Sequence, residues 1–302
     1  MPHFAVAGIQ THVWIENNLG HLHKRLDLLM HLYPWVQMVV LSELAAHGPV
    51  THSAEPLPGP TEAAFQAMAR QHRIWLVPGS FYERRDGAVY NTTPVIDPHG
   101  DVVARYSKIF PFTPYEEGVT PGREFCVFDV PEVGRFGVAI CYDIWFPEIA
   151  RTLTSMGVEV ILNPVLAHFI DRDADLLIAQ ATAAMFQSYV FHINGLGAGG
   201  TGRSLVVGAD GRVLHQAGSA EELIPIEIDL GLVRRERARG LRSMGQPLKS
   251  FRDRSVEFPV YDRASFDDAY LRSLGSLAKP RCGDETNSPR GVGPHEGTEA
   301  TS

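Results

Sequence analysis

Cysteine is scarce: the 302 residues hold three, Cys126, Cys141 and Cys282, odd in number and widely spaced. Such a set builds no disulfide framework and predicts a reducing, cytoplasmic setting. There is no block of Lys and Arg, and the formal charge is −8, which argues against nucleic acid as a partner. No apolar run approaches the roughly 18 residues of a membrane span. The first residues lack a basic region followed by an apolar stretch and a small-residue cleavage site, so no secretory signal is expected. The histidines show no ligand spacing, since His21 and His23 stand at i and i+2 on different faces of a predicted helix. No metal is expected. What remains is ample apolar content for the core of one large domain or two small ones.

Short apolar strands alternate with helical patterns along the chain. Phe4 to Ile9 reads as a strand. Asn17 and Asn18 can cap a helix whose buried stripe is Leu19, Leu22, Leu26, Leu29 and Met30. Gln37 to Leu41 is a strand ending in Ser42-Glu43. A Pro- and Gly-rich loop, His47 to Pro60, precedes a helix that Thr61 caps and that runs to Arg70. Ile74 to Val77 is a strand. Val89 to Ile96 and Val102 to Ser107 flank the turn signal Asp97-Pro98-His99-Gly100, and Lys108 ends that hairpin. Pro111 to Gly122 is a loop holding the acidic pair Glu116-Glu117. Further strands are Cys126 to Val130, Phe136 to Ile140, Glu159 to Leu162, Tyr189 to Asn194 and Ile224 to Ile228. Helices are expected over Glu148 to Met156, on a face with Leu177, Ala181, Ala184 and Met185, and over Leu230 to Arg239. A second hairpin turns at Ala209-Asp210-Gly211. The pattern predicts two related α+β layers packed sheet against sheet. Residues 279–302 have almost no apolar side chain and are expected to be disordered. The glycine-rich loop Gly195 to Gly202 follows a strand, but no helical pattern or acidic strand end accompanies it, so a dinucleotide fingerprint is disfavoured.

The chain is organised around Arg135 to Glu148. An apolar strand, Phe136 to Ile140, ends at Cys141, and Pro147 then opens a helix. This puts a thiol beside backbone N–H groups able to receive an anion. Two other strand ends carry Glu43 and Lys108. The three residue types suit acyl transfer through a thioester. A free thiol, with a pKa of about 8.5, needs a base. A carboxylate can take its proton as the acyl group arrives. A fixed ammonium can stabilise the tetrahedral oxyanion.

The surrounding residues resemble the nitrilase superfamily of carbon–nitrogen hydrolases. Leu41-Ser42-Glu43 is similar to the family's strand-end glutamate. Tyr106-Ser107-Lys108-Ile109-Phe110-Pro111 is similar to its Tyr-x-Lys motif. Ile140-Cys141-Tyr142-Asp143, followed by Phe146-Pro147-Glu148, is similar to its nucleophile turn. The likeness runs from about Phe4 to Asp229, more weakly to about Arg252. It implies that Glu43 is the general base, Lys108 the oxyanion-stabilising lysine, Cys141 the nucleophile, and the Tyr142 N–H a second oxyanion donor. Glu116, eight residues after Lys108, matches a second glutamate that positions the substrate, with Glu117 as its rival. The implied fold is a four-layer αββα sandwich over residues 1–278, paired into an αββα–αββα dimer through the helices after the nucleophile and a C-terminal segment at about 230–278.

The family's arginines that hold substrate carboxylates in several carbamoyl hydrolases would fall at Ile144 and Trp145, so an anionic substrate is disfavoured. Nitrilases tend to carry Trp-Glu where this chain has Tyr142-Asp143. The run from Lys108 to Glu116 looks closest to the aliphatic amidase branch. The resemblance therefore implies an amidase for small neutral amides, needing no cofactor, with N-carbamoyl hydrolase or nitrilase chemistry as the alternative and a silent scaffold more remote. Tyr115, Tyr142, Trp145, Phe146, Asn163 and His168 are the candidate pocket residues.

Overall fold

A computed structural model describes residues 3–113, 115–168 and 171–278. The tail expected to be disordered lies outside the described residues. The chain divides into two compact units, one of residues up to Pro111 with Gly118–Arg254, the other of Phe112–Glu117 with the residues from Ser255 on.

The first unit holds two sheets. Its strands are β1 (His3–Gln10), β2 (Met38–Val40), β3 (Trp75–Val77), β4 (Phe81–Arg85), β5 (Ala88–Ile96), β6 (Val102–Ser107), β7 (Cys126–Val130), β8 (Gly134–Val138), β9 (Val160–Val165) and β10 (Tyr189–Asn194). A small hairpin, β11 (Leu196–Gly197) and β12 (Gly200–Thr201), precedes β13 (Leu205–Val207), β14 (Val213–Gln216) and β15 (Glu222–Asp229). One sheet has the order β15-β1-β2-β3-β5-β4, with β6 also paired to β5. The other has the order β14-β13-β10-β9-β8-β7. The strand pairs β1–β2, β2–β3, β8–β9 and β9–β10 are parallel.

The parallel strands are apolar on both faces because both faces are covered. Val6, Val40 and Val77 of the first sheet meet Phe136, Val138, Leu162 and Ile193 of the second in the inter-sheet core. The alternate residues Ala7, Val39 and Leu76 face α1 (Leu19–Leu32) and α2 (Pro60–His72) through Leu22, Leu26, Phe65 and Ala69. On the far side, Ile161, Val190 and Leu205 pack against α3 (Pro147–Ser155) and α4 (Arg172–Phe186) through Leu153, Ala179 and Phe186. The layers are helix, sheet, sheet, helix, as expected. The carboxylate of Asp229 caps α5 (Leu230–Arg239) by accepting from Gly231 N at 2.8 Å. The unit ends with α6 (Pro247–Asp253).

Three local expectations are corrected. Gly59 precedes the first residue of α2, Pro60 opens it, and Thr61 is inside it, with its N–H and hydroxyl both turned to Glu55. Asn18 occupies the cap position of α1 but makes no capping bond; its side chain closes the preceding turn on Trp14 and Glu16, while Asn17 accepts from Leu19 N at 3.0 Å. Helix α4 buries Leu176, Ala179, Ala183 and Phe186, a complete 3-4-3 stripe, and leaves Leu177 and Met185 exposed. Apolar residues on both faces hid which face turns inward.

In the second unit, Glu116 Oε2 accepts from Phe112 N at 2.6 Å and the Phe112 and Tyr115 rings stack at 4.9 Å. This unit also contains α7 (Ala269–Ser273). Among the described residues no helix is long and apolar enough to cross a membrane.

Candidate active site

Glu43 lies just beyond β2 and is 3 % exposed. Its Oε1 accepts from Lys108 Nζ at 2.8 Å and from Asn91 Nδ2 at 2.9 Å. Its Oε2 accepts from Leu166 N at 3.1 Å. Lys108, directly after β6, is 1 % exposed. Its backbone N–H donates to Asn91 O at 2.8 Å, and its carbonyl accepts from Gly122 N at 2.7 Å. Two charges taken this far from water survive only as a well-bonded pair.

Cys141 opens a tight 3-10 turn, Cys141–Trp145, between β8 and α3. Its φ of +46° is a left-handed conformation for a residue with a side chain, the kind of backbone strain that clusters at working sites. Burial pushes the thiol well above its ordinary range, and the Glu43 carboxylate adds to the rise; Lys108 and the Leu166 N–H oppose it. The resting thiol is therefore protonated, with a charged carboxylate and ammonium acting on it. Sequence reasoning separated these three residues across 98 positions of chain. The fold brings all three to one end of the two sheets.

The turn is held on both flanks. Asp143 accepts from Ile140 N at 2.9 Å, from Tyr106 Oη at 2.7 Å and from Phe110 N at 2.8 Å. Burial pushes its carboxyl up to about 6, against the pull of Lys108 and these donors. Asn163 Nδ2 donates to Ala139 O at 2.9 Å, and its Oδ1 lies 2.6 Å from His192 Nδ1. His192 Nε2 is 2.9 Å from Asp175 Oδ2 and 2.7 Å from Arg172 Nη1. Asp175 also accepts from Arg172 Nη1 at 2.5 Å and from Trp145 Nε1 at 3.1 Å. Burial would raise Asp175, but His192 and Arg172 outweigh it and hold the carboxyl at about 2.

The candidate pocket residues separate into four groups. Tyr142, Trp145 and Phe146 cluster on the turn, with Tyr142 at 5.6 Å from Trp145 and 5.1 Å from Phe146; Phe146 stacks on Phe110 at 3.6 Å. Asn163 is fully buried, its amide engaged with Ala139 and His192. His168 is exposed beyond β9. Tyr115 and Glu116 belong to the second unit. Sequence reasoning gave no role to Asn91, Arg172, Asp175 or His192. Asn91 lies 48 residues from Glu43 with no local motif; Arg172 and Asp175 fall in the stretch Ala167 to Asp175, expected as a pocket-shaping loop, whereas α4 already begins at Arg172.

The four-layer sandwich is shared with solved structures. Nit3 of Saccharomyces cerevisiae, described as a member of branch 10 of the nitrilase superfamily, superposes with a TM-score of 0.73 at 25% identity over 78% of this chain and 93% of that one. An amidase from Nesterenkonia sp. AN1, solved in complex with butyramide, gives 0.68 at 22% identity over 79% and 96%, a likeness of fold alone. These place the protein among the nitrilase-superfamily folds. The pattern of the family described as carbon-nitrogen hydrolase matches residues 5–238, and the chain belongs to that family. Among curated relatives, omega-amidase NIT2-A of Xenopus laevis is 31% identical over 201 residues, covering 59% of this chain and 69% of that protein.

Proposed function

We propose that the protein is an amidase that converts small neutral linear amides to carboxylic acid and ammonia through a thioester on Cys141. The buried Glu43–Lys108 pair at 2.8 Å, acting on the Cys141 thiol, is the observation that carries this reading. Family membership and the amidase names of relatives and neighbours support it.

The chemistry follows from the charges. The thiol transfers its proton to Glu43 as sulfur bonds to the amide carbon, so no free thiolate need accumulate. The Lys108 ammonium faces the oxygen that becomes negative, with the Tyr142 N–H as its partner. Glu43 returns the proton to the amide nitrogen, the C–N bond breaks and ammonia leaves. Glu43 then takes a proton from water as the oxygen attacks the thioester, the C–S bond breaks, and Glu43 gives that proton to the departing sulfur, restoring thiol and carboxylate. Ile144 is buried among apolar residues and Trp145 is tied to Asp175, so neither position offers a cation to a substrate carboxylate. This favours neutral acyl groups.

The test is ammonia release from a panel of neutral amides, N-carbamoyl compounds and nitriles, with intact-mass detection of an adduct on Cys141. Release from amides with a trapped acyl adduct is expected, and Cys141→Ala is expected to stay folded and inactive. Release from carbamoyl compounds or nitriles alone would move the enzyme to another branch. No release and no adduct would overturn catalysis altogether.

A further inference from the structure

A second cluster lies on the outer helical layer, where α1 and α2 pack together. His23 and Asp27 stand one turn apart on α1, at i and i+4, and share a face. His72 is the last residue of α2, where Arg73 breaks the helix with a left-handed φ of 54°. His72 Nε2 is 2.7 Å from Asp27 Oδ1, and His23 Nε2 is 3.5 Å from the same oxygen. One ligand atom from each of the three residues lies within 4.8 Å of the other two. Gln71 bridges the group: its amide donates to Asp27 Oδ1 at 3.1 Å, and its oxygen is 3.0 Å from His23 Nε2.

We propose that His23, Asp27 and His72 bind one borderline divalent transition-metal ion, Zn2+ being the probe of choice, and thereby staple α1 to α2. Both histidines offer Nε2 to the same point, and the carboxylate completes an N2O donor set. Imidazole nitrogen with a single carboxylate suits Zn2+, Ni2+ or Cu2+, not the oxygen-seeking Mg2+ or Ca2+. A tetrahedral ion with bonds of about 2.0–2.1 Å needs its ligand atoms roughly 3.4 Å apart. His72 and Asp27 must part slightly and the two imidazoles must draw together, movements left to His23 and Asp27, whose side chains are 40% and 47% exposed, more than to the more enclosed His72. The site opens to solvent, so the ion has an entry path and water can fill the fourth position. Residues 71 and 72 come from a different helix than 23 and 27, so the donor set exists only in the folded chain.

The experiment is calorimetric titration of chelator-treated protein with Zn2+ after its cysteines have been alkylated, alongside thermal melting. One saturable ion per chain is expected, with a rise in melting temperature, because an ion that binds only the native arrangement stabilises it. His72→Gln and Asp27→Asn are each expected to weaken binding by at least about tenfold, since losing a ligand should cost no less than losing a supporting contact does. His23→Gln/His72→Gln should abolish both binding and the Zn2+-induced thermal shift. Mg2+ should produce neither effect. Absence of saturable Zn2+ binding, or equal binding by wild type and by Asp27→Asn and the double variant, would overturn the site.

Discussion

Asp143 accepts the hydroxyl hydrogen of Tyr106 at 2.7 Å, with both side chains buried. Tyr106 stands two residues before Lys108 on one sheet, and Asp143 two residues after Cys141 at the end of the other. The same carboxylate holds Ile140 N and Phe110 N. One side chain thus ties the strand end that carries the ammonium to the turn that carries the thiol.

Asp143→Asn keeps the shape but offers one oxygen to three donors. At least one buried donor loses its partner, which costs about 1–3 kcal/mol. Reduced stability in urea and a lower turnover number are expected. The carboxyl titrates at about 6 in the fold against about 4 when unfolded, so its neutral form favours the folded state. The stability difference between wild type and variant should therefore fall as pH rises from about 4 to about 6, then level off. A difference that is flat across this window would contradict the assignment.

Glu43→Gln should separate two readouts in opposite directions. Amide turnover should fall by about 10²–10⁴, the typical contribution of a general base. Thiol alkylation at a fixed pH should become faster, because burial and then the Glu43 carboxylate hold the thiol protonated, and removing the carboxylate leaves the Lys108 ammonium less opposed. The variant should also be less stable, since it removes the charged half of the buried Glu43–Lys108 pair. Glu43→Gln/Lys108→Met should recover much of that stability and none of the activity.

Asp175→Asn removes the anion that faces Arg172, His192 and Trp145. The Asp175 carboxyl is held at about 2, below its usual range, so its contribution to stability is present above about pH 4 and is lost as pH falls toward 2. The variant should lack this acid-sensitive component and be less stable at neutral pH by about 3–5 kcal/mol. It acts on the Cys141 turn through Trp145 and, by way of His192 and Asn163, through Ala139. A change in Trp145 fluorescence and in the pH profile of Cys141 alkylation is expected; unchanged alkylation would confine Asp175 to a structural role.

Gly79→Ala should be among the most damaging small substitutions. Gly79 has a φ of +74°, and a Cβ there would stand 1.8 Å from Ser42 O, the carbonyl just before Glu43. Backbone must move at the strand end that aims the carboxylate. A loss above about 3 kcal/mol, read in denaturant melts, or an inactive folded protein is expected.

The layered architecture was legible in the sequence because its signals are local. Apolar strands covered on both faces, turn dipeptides and helical stripes are read within a few residues, and the Glu43, Lys108 and Cys141 strand ends each carry a motif of their own. Thr61 and Leu177 mark where local reading fails: Pro60 already supplies the helix start, and α4 has apolar residues on two faces, so only packing chooses between them. Asn91, Asp175 and His192 have no linear signature at all. Their roles come from hydrogen bonds across 17 to 48 positions of chain, which no spacing rule encodes. The sequence by itself determined which side chains could do acyl transfer and that two helix-backed sheets would carry them. The tertiary structure alone decided that Glu43 and Lys108 meet at 2.8 Å away from water, and that buried partners brace the Cys141 turn, because a charge's strength and a turn's rigidity depend on what surrounds them.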